Sequence, residues 1–210
     1  MELSLSLFAA LFSVVNPFGA MPVFLSMTLH QEKHERNLIA MRTSIYFAMI
    51  LIVAYAVGQY ILSFFGISIE AIRIAGGIII LTSGFALLNG KFAQSRAIDK
   101  KVQAEAIDKD DISFTPLAMP LLSGPGSIAL LIGLKNEQDL IWHNLITIAV
   151  IVLIGLISFL ILKFSPNMMR LLGQSGMRSI SRIMGFIVMS IGIQYLITAI
   201  RSVIFTASGS

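Results

Sequence analysis

The chain has 210 residues, of which 56% are hydrophobic and only 12% charged, with a mean hydropathy of +0.87. A soluble domain carries about 25% charged residues, so composition predicts an all-α membrane protein that crosses the bilayer about six times and has no soluble domain of any size. The net charge of +4 is confined to short loops and forms no basic stripe with interleaved aromatics, which argues against nucleic acid, and the lack of cysteine excludes disulfides, thiolate metal sites and cysteine nucleophiles.

A spanning helix needs about 20 apolar residues. The first such segment covers 3–29. It starts beside an acidic Glu2, lacks a basic flank and runs on too far for a cleavable signal peptide. Within it stands Asn16-Pro17-Phe18-Gly19-Ala20-Met21-Pro22. The second segment covers 39–65 and the third 71–88. At the start of the third, Glu70 and Arg73 lie three residues apart and so share a helix face. They are expected to form an interfacial pair, with a gate or coupling site as the functional alternative. Thr82 and Ser83, deeper in this helix, are expected to bond their own backbone.

The stretch after the third segment, 90–111, carries five basic and five acidic residues and is expected to be a solvated cytoplasmic connector. The fourth segment, 112–134, holds Pro116 and then Pro120-Leu121-Leu122-Ser123-Gly124-Pro125-Gly126-Ser127. The fifth covers 140–164 and the sixth 183–205. In the sixth, Gln194 is a candidate for a cavity or an interhelical hydrogen bond, while Gly185 and Gly192, seven apart on one face, suit close helix packing.

Lys and Arg set the orientation. The regions after segments one, three and five hold twelve of them and the intervening regions only three, Arg73, Lys135 and Arg201. The positive-inside rule puts the three basic regions in the cytoplasm and both termini outside.

The halves resemble one another. Arg73-Ile74-Ala75-Gly76-Gly77-Ile78 parallels Arg182-Ile183-Met184-Gly185-Phe186-Ile187 at an offset of 109. Asn16-Pro17 falls on Gly124-Pro125 at 108, and Phe64-Phe65-Gly66 on Leu171-Leu172-Gly173 at 107. Three crossings are an odd number, so a second copy enters from the opposite side. The pattern therefore predicts two inverted three-helix repeats, 1–89 and 112–210, joined by the connector.

Segments one and four are the irregular ones, with prolines five apart at Pro17/Pro22 and Pro120/Pro125. Proline removes an N–H donor and clashes with the preceding turn, and glycine weakens a helix by about 1 kcal/mol. Neither segment should be a continuous helix. Broken backbone at membrane depth is tolerated only when buried in protein or lining a cavity. Each break creates a half-helix N-terminus whose N–H groups and dipole suit a carboxylate, and frees carbonyls that suit an ammonium or another cation. The candidate substrate site is thus Asn16, Pro17, Phe18, Gly19, Ala20, Pro22, Ser123, Gly124, Pro125, Gly126, Ser127 and Gln194, with Glu70 and Arg73 for coupling or gating.

The Asn16-Pro17-Phe18-Gly19 and Pro22-Val23-Phe24 runs, Pro120-Leu121-Leu122-Ser123-Gly124-Pro125-Gly126, the Phe65-Gly66-Ile67-Ser68-Ile69 and Arg73-Ile74-Ala75-Gly76-Gly77 stretches, and Arg182-Ile183-Met184-Gly185 together resemble the signatures of the MarC-related family over essentially the whole chain. The resemblance implies a six-helix carrier of the prokaryotic inner membrane, in a family with members described as transporters of small neutral amino acids, glycine and alanine.

The expected activity is alternating-access transport of a small zwitterionic amino acid. Its rivals are an exporter of another small metabolite or drug, a channel, and a non-transporting scaffold. A sodium ion on backbone carbonyls, a proton on Glu70, and uncoupled exchange are the options for coupling, and a homo-oligomer is compatible with the pattern. No cofactor is expected. His30, His34 and His143 make no metal spacing, and no nucleophile–His–acid set appears, so an enzyme is not expected.

The orientation is testable because the chain has no cysteine of its own. A membrane-impermeant maleimide should label Ser210→Cys in intact spheroplasts and Gln103→Cys only after permeabilisation; the reverse pattern contradicts the assigned topology.

Overall fold

The computed structural model describes residues 2–92, 96, 111–135 and 141–208, and these are helical with no strand among them. The order is α1 (Glu2–Val15), α2 (Pro17–Met27), α3 (Lys33–Phe64), α4 (Ile69–Leu88), α5 (Ser113–Leu122), α6 (Pro125–Lys135) and α7 (Ile141–Ser208). Four helical stretches are long and apolar enough to cross a membrane, α1 and α2 together counting as one, and a fifth is added if the α5–α6 pair, bent by 63°, is one span.

The surface confirms lipid as the solvent. In α3 the buried residues Ala40, Ser44, Phe47, Leu51, Tyr55, Gly58 and Leu62 recur every three or four positions and form one stripe. The other faces carry Met41, Ile45, Met49, Val53 and Val57, all exposed. So continuous an exposed apolar surface is stable only against hydrocarbon. The polar start of α3 runs beyond this band, where Arg42 meets Asp111 at 3.4 Å. An exposed pair of this kind contributes little to stability.

α7 differs from expectation. The stretch 165–182, between the fifth and sixth apolar segments, is helical too. At about 1.5 Å per residue, 68 residues would reach about 100 Å, three times the hydrocarbon thickness of about 30 Å. The break comes at Gly173, with φ 65° and ψ 179°. That region is essentially open to glycine only. Gly66, after α3, has the same φ of 65°.

α5 is wound in wide turns. Leu117 N–H donates to Ile112 O at 3.3 Å and Ser123 N–H to Ala118 O at 2.8 Å, each five residues back. Thr115 (φ −122°, ψ 124°) and Met119 (φ −129°, ψ 125°) leave helical geometry. Both precede a proline, whose ring pushes the preceding residue into the extended region.

α4 crosses the second arm of α7 antiparallel, with the two backbones in close approach. A Cβ on Gly84 would lie 2.8 Å from Gly185 O, and one on Gly185 would lie 2.9 Å from Gly84 O. Likewise a Cβ on Gly77 would lie 3.1 Å from Gly192 O, and one on Gly192 would lie 2.9 Å from Gly77 O. Between helices in lipid there is no hydrophobic driving force, so close backbone approach at small residues supplies the attraction.

Gly84→Leu and Gly192→Leu should each lower the thermal unfolding midpoint of the solubilised protein, at a cost of about 1–3 kcal/mol or more from overpacking. Gly155→Ala, whose added Cβ would lie 3.4 Å from Ala48, should be nearly neutral. Equal midpoints for all three would contradict the crossing.

Candidate functional site

Both expected breaks are present, and they are buried. Within the hydrophobic window of α1–α2, 67% of residues are buried in protein, against 28% for α3. Irregular backbone thus sits where protein rather than lipid can satisfy it.

The first break lies at Asn16, between α1 and α2. Asn16 is fully buried, has φ 51°, and caps α2 through Oδ1, which accepts the Gly19 N–H at 3.2 Å. Asparagine is among the few residues that visit the left-handed region and also cap helices. Pro17 follows at the first helical position, where its missing N–H is harmless. The second break lies at Ser123 and Gly124, ahead of Pro125 at the start of α6. Ser127 Oγ donates to Gly124 O at 2.8 Å, closing the first turn of α6.

The two breaks are neighbours. A Cβ on Gly126 would lie 3.6 Å from Val14 Cγ1 and 2.9 Å from Ile80 Cγ1. Between them lies Arg96, which belongs to the connector. Its Nη2 donates to Val14 O at 2.8 Å, and its Nη1 fills the space that a Cβ on Gly124 would take. Glycine at 124 is therefore required by the guanidinium. Arg96 is 3% exposed, and Phe92, also buried, presents its ring 5.4 Å from the guanidinium carbon. Burial lowers the Arg96 pKa to about 10, so the group stays charged at neutral pH. The expectation of a solvated connector fails at these two residues. No local pattern marked Arg96, which sits in a polar, charge-balanced stretch; the one signal was Phe92, a large apolar residue four positions earlier.

The other candidates separate into two groups. Gly19, Ala20, Gly124 and Gly126 are buried beside the breaks, Phe18 is half-buried, and Pro22 and Pro125 are more open. Pro22 and Gly19 line a cavity of about 540 Å³ that also touches Leu87, Phe92, Arg178 and Arg182. Gln194 does not join them: it is exposed on α7, and its Nε2 lies 3.5 Å from Thr198 Oγ1 one turn on. Its neighbour Tyr195 turns inward instead and donates to Leu130 O at 3.0 Å. One step along a helix rotates a side chain by about 100°, enough to exchange the outer face for the inner.

Glu70 and Arg73 do not pair with each other. Glu70 Oε1 accepts from Ser202 Oγ at 3.4 Å, whereas Arg73 is buried and donates to Gly133 O from Nη2 at 2.7 Å and from Nε at 3.2 Å. Gly133 lies in the last turn of α6, so Arg73 caps the carbonyl end of that half-helix as Arg96 caps α1. A cation there is favoured by the helix dipole. Thr82 bonds its own helix, donating at 3.0 Å to the carbonyls of Ile78 and Ile79.

The family model described as MarC family integral membrane protein matches residues 1–204. Similar curated proteins include a UPF0056 membrane protein of Methanocaldococcus jannaschii, 38% identical over 195 residues that cover 92% of this chain and 94% of the relative. The UPF0056 membrane protein YhcE of Escherichia coli is 35% identical over 196 residues, 93% and 91% of the two chains. The UPF0056 inner membrane protein MarC of Escherichia coli is 35% identical over 208 residues, 93% of each. No solved structure matches this chain.

Asn16→Ala should destabilise the solubilised protein by about 2 kcal/mol, losing the cap and placing a β-carbon in the left-handed region, whereas Asn16→Gly should lose only a few tenths. Chemical or thermal unfolding of the two variants checks this, and equal losses would contradict the capping role.

Proposed function

We propose that this chain, which belongs to the MarC family of integral membrane proteins, is an inner-membrane secondary carrier for small neutral amino acids such as glycine and alanine, working by alternating access between two inverted three-helix halves. The observation that carries this is the adjacency of two interrupted segments, α1–α2 and α5–α6, each opening a half-helix N-terminus at a buried break. Discontinuous helices of this kind suit a carboxylate at their N–H ends and a cation at their carbonyl ends. The N–H groups of Phe18 and Gly126, second positions of α2 and α6, make no hydrogen bond among the described residues. Asn16, Ser123 and Ser127 supply further polar atoms.

Support for the inverted halves comes from the glycine crossing. At an offset of 108, Gly77 corresponds to Gly185 and Gly84 to Gly192. The contact of Gly77 with Gly192 then maps onto the contact of Gly84 with Gly185, as a pseudo-two-fold axis between antiparallel helices requires. Arg73 then corresponds to Ser181, one residue from the match with Arg182 suggested by local similarity. Counting α7 as two arms about Gly173, and α5–α6 as one span, gives six crossings; an even number leaves both termini on one side, for which the positive-inside rule favours the outside.

Support for alternation comes from a difference between equivalent places. On the side expected to face outward, Arg73 closes onto Gly133 O. At the inverted place, Ser181 and Arg182 instead line the 540 Å³ cavity with Pro22 and Val23 from the last turns of α2. This asymmetry supports a carrier open to the cytoplasm and closed outside. In the opposite state the cavity would close and Arg73 would leave Gly133. Glu70, bonded to Ser202 across α4 and α7, remains the candidate for proton coupling on the outer side.

The same volume favours one rival: a cavity of 540 Å³ falls in the range of about 300–1,000 Å³ that takes drug-sized molecules, so export of a larger metabolite is the second reading.

Protein reconstituted in liposomes should exchange labelled glycine or alanine by counterflow, with saturation, and unlabelled small neutral amino acids should compete. Arg73→Ala should slow exchange at least tenfold while unfolding stays cooperative. Absence of uptake under every imposed gradient would sink the proposal, and competition by larger solutes alone would favour the exporter.

A further inference from the structure

Arg96 is more than a cap on α1. A guanidinium has five N–H donors and no acceptor, yet among the described residues it makes one hydrogen bond, from Nη2 to Val14 O at 2.8 Å. Its Nε is buried without a partner. Among the described residues no carboxylate faces it: Glu32, Glu35, Glu70 and Asp111 all lie elsewhere, and the one ion pair is between Arg42 and Asp111. A buried charge of this kind is unfavourable until an opposite charge joins it.

The groups around it lack the same thing. Asn16 Nδ2 is fully buried and unpartnered, two residues from the carbonyl that Arg96 touches. Ser123 Oγ is fully buried and unpartnered, next to the glycine whose β-space the guanidinium occupies. The N–H groups of Phe18 and Gly126 open the two half-helices beside them. Apart from the Ser123 hydroxyl, which can also accept, every one of these is a donor only. Unsatisfied donors at both breaks, next to residues that a fixed positive charge touches, call for an anion with several lone pairs, and a planar carboxylate matches a guanidinium fork.

We propose that Arg96 is the substrate-specificity residue of this chain: its guanidinium, reaching from the connector into the break between α1 and α6, binds the carboxylate of the transported solute together with Asn16 Nδ2 and Ser123 Oγ. This rests on the carrier function above and deepens it, replacing a carboxylate held by backbone dipoles alone with one held by a full charge. It makes the carboxylate obligatory for recognition and couples occupancy of the site to the position of Arg96.

The test is thermal unfolding of the purified full-length protein against glycine, acetate and glycinamide, each compared with sodium chloride at equal ionic strength. Glycine and acetate should raise the midpoint of the unsubstituted protein and glycinamide should not. In Arg96→Lys the glycine concentration for half the shift should rise at least tenfold, and Arg96→Gln should not respond. The same half-shift concentration in all three proteins, or no shift with any carboxylate, overturns the proposal. If Arg96→Gln does not fold, the comparison with Arg96→Lys decides in the same way. Liposome counterflow separates this from the carrier function. Carboxylate binding through Arg96 without uptake of labelled glycine overturns transport and leaves the site standing, whereas uptake equal in all three proteins overturns Arg96 and leaves transport standing.

Discussion

Every backbone N–H and C=O at membrane depth needs a partner inside the protein, because hydrocarbon offers none and each orphan costs several kcal/mol. An unbroken helix meets this demand by itself. Two spans of this chain do not. Proline at 17, 116, 120 and 125 removes donors, and Asn16, Thr115 and Met119 leave helical geometry. The rest of the molecule is arranged around that deficit: α3, α4 and α7 enclose the interrupted segments and turn their own apolar faces outward to lipid.

Arginine serves this arrangement twice. The carbonyl ends of α1 and α6 would otherwise stand open in a low-dielectric interior, and Arg96 and Arg73 donate to Val14 O and Gly133 O there. A guanidinium suits the task because it remains charged when desolvated and spreads its donors over a plane. The two positions are not equivalent. Arg73 comes from a helix beside the half-helix it caps, while Arg96 comes from the stretch between α4 and α5. The first ties α4 to α6; the second brings Arg96 itself to the break between α1 and α6. The α4–α7 glycine crossing supplies the complementary element, a close, nearly symmetric contact that holds these two helices together without polar groups.

Much of this was legible in the residues, and the reason is local covalent chemistry. The missing donor of proline and the left-handed tolerance of Asn16 are properties of single positions, so the breaks in the first and fourth segments could be read without neighbours, whereas the break at Gly173 was not legible. The small faces at Gly185 and Gly192 were legible for the same reason. The direction of side chains was not. Gln194 was expected inside and is exposed, while Tyr195 turns in. Glu70 and Arg73 were expected to meet and bond to different elements. In a soluble helix the apolar stripe reveals the buried face. Here lipid is as apolar as the protein interior, and the pattern carries no such label.

The sequence by itself determined that the chain lives in a bilayer, that two of its spans are interrupted, and where the interruptions fall, since composition and proline chemistry act before any long-range contact forms. Only the tertiary structure decided what fills the interruptions. Val14 and Arg96 are 82 residues apart, and Gly133 and Arg73 are 60 apart. Whether a charged connector residue stays in water or is drawn into a break depends on the helix carbonyl end and the space beside Gly124 that meet it there, and those exist only after the half-helices have packed.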